Sequence, residues 1–363
     1  MKLIIAGGGT GGHFFPGVAV AETLKSTQSD SEIVFVGTEK GIEARLCPKL
    51  GWPIELMSVS GIKTVGLFGA LKGLGKVPGA LYQSYRLLKR LKPNVVLGVG
   101  GYASGPLVLI ASLMGIPTAV LEQNSVPGMT NKILGRFVKK AFVSFNKSCE
   151  FFPKAKTSLV GNPIRQKITD AILKNSKNRD SKAPCHVLIL GGSQGAVSVN
   201  KICLSAFKKL QQEGVSFKVT HQTGSRDLEN IQAQYKSIDL DAIVSPFIDD
   251  MAKAYSDADV IVSRAGATTI AELALVGKPA ILIPYPYAAQ NHQEENAKAM
   301  VEAGAAMMFI EGSMSDDEFK KELESLMLST EKQRTMGGAM RSFAKPKAAE
   351  NIITWCLNQS SPR

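Results

Sequence analysis

A glycine-rich turn near the amino terminus has the residue types and the spacing of an anion-binding loop. Gly7, Gly9 and Gly12 fit the pattern G-x-G-x-x-G between an apolar run, Lys2–Ala6, and a helix predicted from about Phe14 to Ser26. Glycines let the backbone approach an anion closely, and the amides at the start of a helix point at it. The sequence therefore predicts either a phosphate-binding loop or a tight turn that only connects a strand to a helix.

His13 immediately follows this loop, at the predicted start of the helix. The positive end of a helix disfavours imidazolium, so we expect a neutral ring, as a general base must be. A histidine that only caps or packs is the alternative. The same loop also allows a dinucleotide site, with Glu39 beyond the next strand binding the ribose, and that hypothesis describes an NAD-dependent oxidoreductase.

A second glycine loop opens the other half of the chain. The apolar run Val187–Leu190 leads into Gly191–Ala196, which precedes another predicted helix. Its amides open that helix, Ser193 adds a hydroxyl donor, and Arg165 is a candidate compensating charge. We expect a diphosphate cradle here, and a purely structural turn is the alternative.

The segment Ser263–Glu272 ends a predicted strand and enters a helix. It offers backbone amides and hydroxyls to a phosphate, followed one turn later by the Glu272 carboxylate. That carboxylate is a candidate acceptor for both hydroxyls of a ribose. The alternative is a carboxylate that only interacts with the helix dipole.

Asp257 and Asp259 match the D-x-D pattern of metal-dependent sugar transferases, but they precede their strand, Val260–Ser263. Ligands of open α/β sheets bind beyond the carboxyl ends of strands, so we interpret this pair as a turn at a helix end. Four histidines without clustered spacing predict no tightly bound metal, and we expect no cofactor.

Short apolar runs and helical patterns alternate in both halves of the chain, which has 363 residues. Length and alternation predict an α/β protein of two Rossmann-like domains, each a parallel sheet covered by helices, facing each other. We place the boundary near Gly161-Asn162-Pro163, which gives domains 1–162 and 163–341. The remaining segment, 342–363, contains a helical pattern at Ala348–Leu357 that is able to pack on either domain.

Two features bear on the cellular compartment. Pro93–Leu121 has no charged residue, but Pro106, Pro117 and several glycines interrupt it, which is typical of a strand–loop–helix unit and not of a membrane span. Five scattered cysteines fit a reducing cytoplasm, and the start of the sequence lacks the pattern of a signal peptide. We therefore expect a cytoplasmic protein.

Positive charge is concentrated in the first half: residues 1–162 carry 19 Lys and Arg against 8 Asp and Glu. Apolar residues interleave with basic ones between Glu55 and Glu122, a pattern typical of a surface that lies on an anionic membrane. A core helix with a solvated basic face is the alternative, as is a membrane or RNA adaptor without catalysis. Nucleic acid is disfavoured because interleaved aromatics and an arginine-rich run are missing. The candidate membrane-associating residues are Leu67, Phe68, Leu71, Lys72, Leu74, Lys76, Arg86 and Arg90.

Short motifs follow one another in a recognisable order along nearly the whole chain. They are Gly7–His13 with Phe15-Pro16-Gly17, Gly101–Pro106, Glu122-Gln123-Asn124, Pro127–Lys132, Val160–Arg165, Gly191–Ala196, Phe247–Met251, Ser263–Glu272 and His292–Ala297. In this order they resemble the MurG family, the bacterial lipid I N-acetylglucosaminyltransferases of peptidoglycan synthesis. Asn291 departs from the pattern, because many members have Asp before His-Gln, and this blurs the sugar contacts expected near Gln293.

The resemblance implies a GT-B architecture, two Rossmann-like domains around a cleft, with the terminal helix returning to the first domain. Family members transfer N-acetylglucosamine (GlcNAc) from UDP-GlcNAc to the 4-hydroxyl of undecaprenyl-diphosphoryl-MurNAc-pentapeptide (lipid I), giving lipid II and UDP with inversion. The implied partners are UDP-GlcNAc, lipid I, an anionic membrane surface and proteins of a cell-wall synthesis or division complex. The implied location is the cytoplasmic face of the inner membrane, as a peripheral protein. A related transferase acting on another lipid, such as diacylglycerol, is the alternative.

Carried over residue by residue, the resemblance implies His13 as the catalytic base, with Glu122 and Tyr102 as alternatives. Ser193 and Arg165 then meet the diphosphate. The other implied donor-site residues recognise uracil (Ile248), the ribose (Glu272) or GlcNAc hydroxyls (Asn124, Gln293), or line the pocket and the opposite wall of the cleft (Ala267, Thr268, Thr269, Ile270, Ala271, Thr10, Gly11, Gly12).

Overall fold

The computed structural model describes residues 1–59, 77–174, 183–192, 195–313 and 315–360. The chain divides into two compact units: unit 1 is Met1–Gln166 with Lys345–Arg363, and unit 2 is Lys167–Ala344. The chain leaves unit 1 four residues after the boundary that we placed at 162, so Arg165 belongs to unit 1. Seven predicted site residues lie outside the described residues, namely Ser193, Leu67, Phe68, Leu71, Lys72, Leu74 and Lys76.

Unit 1 is built on a parallel sheet. Its strands among the described residues are β1 (Lys2–Gly7), β2 (Glu32–Thr38), β3 (Ile54–Met57), β4 (Val95–Gly100), β5 (Thr118–Glu122), β6 (Lys140–Val143) and β7 (Thr157–Leu159). They pair in the order β3-β2-β1-β4-β5-β6-β7. From β1 the chain continues toward one edge of the sheet, to β2 and β3, and from β4 it continues toward the other edge, to β7. The loops that follow β1 and β4 therefore lie side by side at the carboxyl ends of these strands.

Helices cover both faces of this sheet. They are α1 (Gly11–Thr27), α2 (Ile42–Lys49), α3 (Val77–Leu91), α4 (Ser104–Leu113) and α5 (Met129–Leu134), with short 3-10 turns at Lys147–Phe151 and Lys154–Lys156. The apolar sides of α1 and α2 share one core cluster, and those of α3, α4 and α5 share another. The central strands are therefore buried on both faces, which explains their nearly continuous apolar sequences.

Unit 2 repeats this plan with a second parallel sheet. Its strands in the described ranges are β8 (Cys185–Leu190), β9 (Phe217–Gln222), β10 (Ala242–Ser245), β11 (Val260–Ser263), β12 (Ala280–Leu282) and β13 (Ala306–Met308), in the order β10-β9-β8-β11-β12-β13. The helices are α6 (Gln166–Lys174), α7 (Val197–Gln212), α8 (Leu228–Ser237), α9 (Met251–Asp257), α10 (Ala267–Val276), α11 (His292–Glu302), α12 (Asp316–Leu328) and α13 (Thr330–Arg341), with a 3-10 turn at Ala289–Asn291.

The last helix, α14 (Ala348–Ser360), returns to unit 1 and packs against α1. Ile352, Ile353 and Cys356 join the same core cluster as α1, and the Trp355 ring meets the Phe142 ring edge-on at 5.7 Å. The predicted α/β architecture of two Rossmann-like parallel-sheet domains with a returning terminal helix is confirmed.

Some elements differ from the sequence-based expectation. Helix α1 begins at Gly11 instead of Phe14, so His13 lies inside its first turn. Strands β3, β7 and β13 did not stand out in the sequence, because they have three or four residues and their side chains are mostly only partly buried. A short edge strand has neither the length nor the apolar run that distinguishes a central strand.

The uncharged segment that we excluded as a membrane span forms β4, α4 and β5. Among the described residues, the structure contains no helix with the length and apolar composition that crossing a bilayer requires.

A buried polar cluster lies in the core of unit 2. His221 is fully buried, and its Nε2 lies 3.0 Å from Asn200 Oδ1 while its Nδ1 lies 2.8 Å from the Tyr235 hydroxyl. The Asn200 Nδ2 donates to Asp227 and to the Thr223 carbonyl, so the Oδ1 must accept from His221. His221 is therefore neutral with its proton on Nε2, and Tyr235 donates to Nδ1.

This cluster predicts that unit 2 loses stability in acid. Burial lowers the pKa of His221 to about 3, although Asp227 opposes the shift. Below the unfolded pKa of about 6.5 the unfolded chain binds a proton that the folded chain rejects, so acid favours unfolding. We expect a loss of about 2 kcal/mol between pH 7 and pH 5, measured by hydrogen exchange of β8 and β9 amides after correction for intrinsic rates.

The variant His221→Gln isolates this contribution. The readout is the loss of stability of unit 2 between pH 7 and pH 5. This loss should be about 2 kcal/mol smaller in the variant than in the parent, whatever the absolute stability of the variant. A parent and a variant with the same pH dependence would contradict a neutral buried His221.

Candidate functional site

His13 is held by a chain of side-chain and backbone hydrogen bonds. Its Nδ1 lies 3.0 Å from Gln123 Oε1, and the Gln123 Nε2 donates to the Val99 carbonyl at 3.0 Å. Because the amide nitrogen is used as a donor, the amide oxygen must accept, and His13 carries its proton on Nδ1. The other ring nitrogen, Nε2, then keeps its lone pair, which is the state that a general base requires.

The His13 ring also needs a glycine beneath it. Gly100 has φ +95°, and a Cβ there would lie 2.8 Å from His13 Nδ1. The next residue, Gly101, comes so close to the first glycine loop that its Cβ would meet the Gly8 carbonyl oxygen at 2.5 Å. The loops after β1 and β4 therefore pack directly on each other, with the His13 ring over their junction.

A buried carboxylate that we did not single out in the sequence organises the first glycine loop. Glu43 is 1% exposed, and its Oε2 accepts a hydrogen bond from the Gly9 amide at 2.7 Å. Its Oε1 accepts from the Thr38 amide at 2.9 Å. Gly8 has no side chain where the Glu43 carboxylate lies, since a Cβ there would overlap it. One amide of the loop is thus already bonded to a negative charge.

This carboxylate disfavours the dinucleotide hypothesis. A diphosphate on the first loop would compete with Glu43 for the Gly9 amide and would be repelled by its charge. Glu39, which that hypothesis assigned to the ribose, is exposed. None of the sequence motifs contains Glu43, so its role depends on the fold and not on a local pattern.

The two alternative bases have different surroundings. Glu122 is 1% exposed, and its two oxygens accept four hydrogen bonds, from the amide and side chain of Asn124, the Gly128 amide and the Asn131 side chain. This carboxylate shapes the loop after β5, and its lone pairs are occupied. Tyr102 is 60% exposed in the loop after β4. The geometry therefore favours His13 over Glu122 as the base.

The other predicted residues of unit 1 lie near the same helix. Thr10 caps α1 with its backbone and is exposed, and Gly11 and Gly12 form the first turn with His13. The Arg165 guanidinium lies 5.4 Å from the centre of the Phe15 ring. Burial raises the pKa of Glu22, and the positive charge of Arg165 opposes that shift. Arg165 is thus a cation placed beside α1.

Apart from Gln293, the predicted donor residues of unit 2 follow β8, β11 or β10 of its sheet. The second glycine loop follows β8 and leads into α7, and Ser263–Glu272 follows β11 and enters α10. On α10, the side chains of Ala267 and Ile270 are buried, whereas those of Thr268, Thr269, Ala271 and Glu272 are partly exposed. Ile248 is partly exposed in the loop between β10 and α9. The structure brings the first two segments to one edge of the sheet, since β8 and β11 are paired.

Two of these side chains already have partners. Glu272 Oε2 accepts a hydrogen bond from the Tyr255 hydroxyl at 2.8 Å. Gln293, in the first turn of α11, accepts with Oε1 from the Tyr285 amide at 3.0 Å. Gln290 and Asn291, just before this helix, both have positive φ, at 55° and 54°. Gln293 is therefore oriented by the Tyr285 amide, with its oxygen directed to the backbone.

Arg264 connects the loops at this edge, and sequence analysis assigned it no role. Its Nη1 donates to the carbonyls of Ile283 and Pro284, both at 3.1 Å, and to Glu311. Its Nη2 donates to the Ser198 hydroxyl at 3.0 Å. The loops after β11, β12 and β13 and the start of α7 are thus joined by one guanidinium. The partners come from distant parts of the sequence, so no local pattern could reveal this cluster.

The D-x-D pair has structural roles. Asp259 Oδ2 accepts from the His186 amide at 2.7 Å, and Asp257 forms an ion pair with Lys253 at 2.5 Å. Within the described ranges, three or more His, Cys, Asp or Glu side chains do not converge as a metal site would require.

Two protein-family models match this chain. The glycosyltransferase family 28 N-terminal domain matches residues 3–143, and the glycosyltransferase family 28 C-terminal domain matches residues 186–352. The first match includes the His13 loop and Gln123, and the second includes the second glycine loop and Glu272.

Two relatives carry one name, UDP-N-acetylglucosamine--N-acetylmuramyl-(pentapeptide) pyrophosphoryl-undecaprenol N-acetylglucosamine transferase. The protein from Myxococcus xanthus (strain DK1622) is 46% identical over 358 residues, covering 99% of this chain and 93% of the relative. The protein from Geobacter metallireducens is 43% identical over 353 residues, covering 97% of both.

Solved structures show the same fold. The crystal structure of Acinetobacter baumannii MurG matches with a TM-score of 0.84 and 34% identity, over 98% of this chain and 99% of that one. A UDP-GlcNAc 2-epimerase from Neisseria meningitidis, bound to UDP-GlcNAc, matches with a TM-score of 0.68 over 99% of this chain and 100% of that one. At 13% identity, this second match supports the fold alone.

The buried carboxylate of the first loop generates a stability prediction. In Glu43→Gln, an amide NH2 would face either the Gly9 or the Thr38 amide, which are themselves donors. We expect unit 1 to lose about 2–3 kcal/mol of stability, because a charge-assisted pair of hydrogen bonds is replaced by a buried conflict. Both tryptophans, Trp52 and Trp355, lie in unit 1, so urea unfolding followed by their fluorescence measures this unit.

Glu39→Gln is the matched control, since the same change at an exposed position should alter stability by less than about 0.5 kcal/mol. Equal unfolding curves for the two variants would show that the Glu43 carboxylate does not hold the loop.

Proposed function

This chain belongs to the MurG family of the family 28 glycosyltransferases, and from that premise we propose that it transfers GlcNAc from UDP-GlcNAc to the MurNAc 4-hydroxyl of lipid I, forming lipid II and UDP. The acceptor follows the relatives, whose name specifies N-acetylmuramyl-(pentapeptide) pyrophosphoryl-undecaprenol. The observation that carries the proposal is the oriented His13, whose Nε2 lone pair is set by Gln123.

The reaction converts an α-linked donor into a β-linked product, so one displacement is sufficient. His13 Nε2 takes the proton of the acceptor hydroxyl while the hydroxyl oxygen attacks the anomeric carbon of GlcNAc. The bond from that carbon to the diphosphate oxygen breaks, and its electron pair leaves with UDP. The ring is then imidazolium, and its Nδ1 proton remains hydrogen-bonded to the Gln123 oxygen.

The departing diphosphate needs positive charge and amide donors. The second glycine loop and the start of α7 supply amides of the kind that bind phosphates, and Ser193 and Arg165 supply a hydroxyl and a charge. The first loop is less suited to this role, because Glu43 already occupies the Gly9 amide. The two loops therefore take different roles: the first positions the base, and the second binds the leaving group.

Donor recognition uses the remaining residues of unit 2. Ile248 adjoins the uracil, and Glu272 accepts from the ribose hydroxyls, with the segment Ala267–Ala271 lining the pocket. Gln293 contacts GlcNAc through its Nε2, since its Oε1 accepts from Tyr285. For unit 1, the family resemblance implies that Asn124 contacts GlcNAc hydroxyls and that Thr10, Gly11 and Gly12 also belong to the donor site. Glu122 acts through the loop that carries Asn124, and Tyr102 remains the alternative base.

A transfer assay tests the role of His13 as the general base and the role of Gln123 in orienting it. With UDP-GlcNAc and a short-chain lipid I analogue, we expect the lipid to gain one N-acetylhexosamine as UDP is released, with UDP-glucose a poor donor. His13→Ala should lower kcat about 100-fold to 10,000-fold, the usual contribution of a general base. Gln123→Met should lower kcat by about tenfold to 100-fold and leave the donor KM within about twofold, because it changes only the orientation and tautomer of the ring.

Gln333→Met is the matched control for Gln123→Met. Its amide also donates to backbone carbonyls, those of Leu326 and Met327, but in unit 2 and outside the predicted site. Full activity of His13→Ala would show that His13 is not the general base. Full activity of Gln123→Met would show that Gln123 is not needed to orient the His13 ring.

Membrane association is the second part of the proposal, and the face of unit 1 covered by α3, α4 and α5 supports it. These helices pack in sequence, α3 on α4 and α4 on α5. Large exposed apolar side chains lie along them and just beyond their ends, namely Tyr82, Tyr85, Leu113, Met114, Met129, Ile133 and Phe137. Exposed Arg86, Arg90 and Arg136 lie among them, and Glu122, which is buried, is the one acidic residue between Glu55 and Glu150. Apolar side chains beside cations are typical of a surface that lies on an anionic bilayer.

Among the three arginines named above, Arg90 is partly neutralised. Arg90 forms an ion pair with Glu55 at 2.8 Å, whereas Arg86 and Arg136 belong to stretches of sequence without acidic residues. Each basic residue near an anionic surface contributes about 1 kcal/mol, so a few of them give reversible binding. We propose that the protein is peripheral, at the cytoplasmic face of the inner membrane where its lipid acceptor is found. Cell-wall synthesis or division proteins remain expected partners from the family resemblance.

Vesicle sedimentation tests the membrane surface. Replacing Arg86, Arg90 and Arg136 with Ser should weaken binding to vesicles containing anionic phosphatidylglycerol by at least about tenfold, and added salt should weaken the parent in the same way. Replacing Lys201, Lys208 and Lys236 of unit 2 with Ser is the control with equal loss of charge, and it should bind as the parent does. Equal retention of both variants would place the membrane surface elsewhere.

A further inference from the structure

Tyr255 is a buried tyrosine whose hydroxyl has a specific partner. It lies on α9, its side chain is 1% exposed, and its hydroxyl donates to Glu272 Oε2 at 2.8 Å. Glu272 lies on α10 and is partly exposed, so one end of this hydrogen bond is in the core and the other reaches the surface. None of the sequence motifs pointed to Tyr255.

The chemistry of the pair makes Tyr255 a fixed donor. Burial raises the pKa of Tyr255 well above its ordinary value, and the neighbouring Glu272 adds to the shift. The phenol therefore stays protonated and can only donate toward the carboxylate. A hydrogen bond to an ionised acceptor is stronger than a neutral one, and it limits the rotamers available to a long side chain.

Tyr255 also connects two segments that the proposed function assigns to one ligand. Helix α9 begins directly after the loop that contains Ile248, and Asp250 caps it by accepting from the Lys253 amide at 2.9 Å. The Tyr255 hydroxyl then joins this helix to Glu272 on α10. A hydrogen bond that is buried at its Tyr255 end thus links the helix after the loop expected at the uracil to the carboxylate expected at the ribose.

We propose that Tyr255 is a positioning residue for the nucleotide: its hydroxyl orients the Glu272 carboxylate toward the two ribose hydroxyls and ties it to the Ile248 loop. This inference rests on the proposed function through the ribose role of Glu272. Tyr255 touches no reacting atom, so its effect is on nucleotide affinity and on discrimination between ribose and deoxyribose, and not on the chemical step.

Calorimetric titration of the full chain with UDP and with 2′,3′-dideoxy-UDP measures this directly. The ratio of the two Kd values reports how strongly the protein recognises the ribose hydroxyls. We expect a ratio of about tenfold or more in the parent and close to one in Glu272→Gln. Tyr255→Phe should reduce the ratio to about threefold or less by weakening UDP, with the dideoxy analogue within about twofold.

Steady-state kinetics gives a second readout. Tyr255→Phe should raise the KM for UDP-GlcNAc by about fivefold to tenfold and leave kcat within about twofold. The matched control is Tyr235→Phe, which removes the hydroxyl of another buried tyrosine of unit 2, one bonded at 2.8 Å to His221 Nδ1. That variant should keep the parent ratio, because its hydroxyl does not contact Glu272.

The outcomes separate the inference from the function on which it rests. Failure of the parent to bind UDP would overturn the proposed function, and the inference with it. If Glu272→Gln abolishes the ratio of the two Kd values but Tyr255→Phe keeps the ratio of the parent, the inference is overturned and the proposed function stands. An equal fall of the ratio in Tyr235→Phe would also overturn it, because general loosening of unit 2 would then explain the effect.

Discussion

The side-chain amide of Gln123 is the interaction on which the site of unit 1 depends. Its nitrogen is fixed by the Val99 carbonyl, so its oxygen can only accept, and His13 must present a proton on Nδ1. The three groups come from α1, β4 and the end of β5, which the sheet order β1-β4-β5 brings side by side. The carboxyl ends of these parallel strands thus orient the ring that we propose as the base.

Unit 2 uses the same topology for a different purpose. The second glycine loop follows β8, the central strand, and the segment that contains Glu272 follows its neighbour β11. Here the amides of Gly191 and Gly195 bond to backbone carbonyls, and Asn200, the partner of the neutral His221, donates to the adjoining Thr223 carbonyl and to Asp227. In unit 1 the corresponding loop is bonded to the Glu43 carboxylate. The carboxylate bonded to an amide of the first loop supports our proposal that the second loop, and not the first, binds the diphosphate.

Much of the fold could be predicted from local patterns. The central strands are apolar runs followed by glycine-containing loops, and this signal located β1, β8 and β11 without knowledge of their partners. The short strands β3, β7 and β13 could not be found in this way, because they are defined by pairing with a neighbour. Helix α1 begins three residues early for a similar reason: its first turn contains Gly11 and Gly12, which have poor helix propensity, so that turn depends on its surroundings.

The residues of the candidate site also differ in whether a local sequence pattern could predict them. His13 and Glu272 were predicted as site residues from motifs in the sequence, whereas the roles of the groups that orient them were not predicted. Gln123 lies 110 positions from His13, and Glu43 lies 34 positions from Gly9. Tyr255 and Arg264 are bonded across elements in the same way. Orientation is a property of tertiary contacts, and it decides which oxygen or nitrogen is available for chemistry.

The most direct test of this account is the tautomer of His13, measured by long-range proton–nitrogen NMR on protein labelled with 15N-histidine at mildly alkaline pH. The chain has four histidines, and His13→Gln assigns one of them. We predict that His13 carries its proton on Nδ1, with Nε2 bare, while His221 shows the opposite tautomer with its proton on Nε2. A proton on Nε2 of His13 would mean that its basic nitrogen faces Gln123, and it would contradict the central claim.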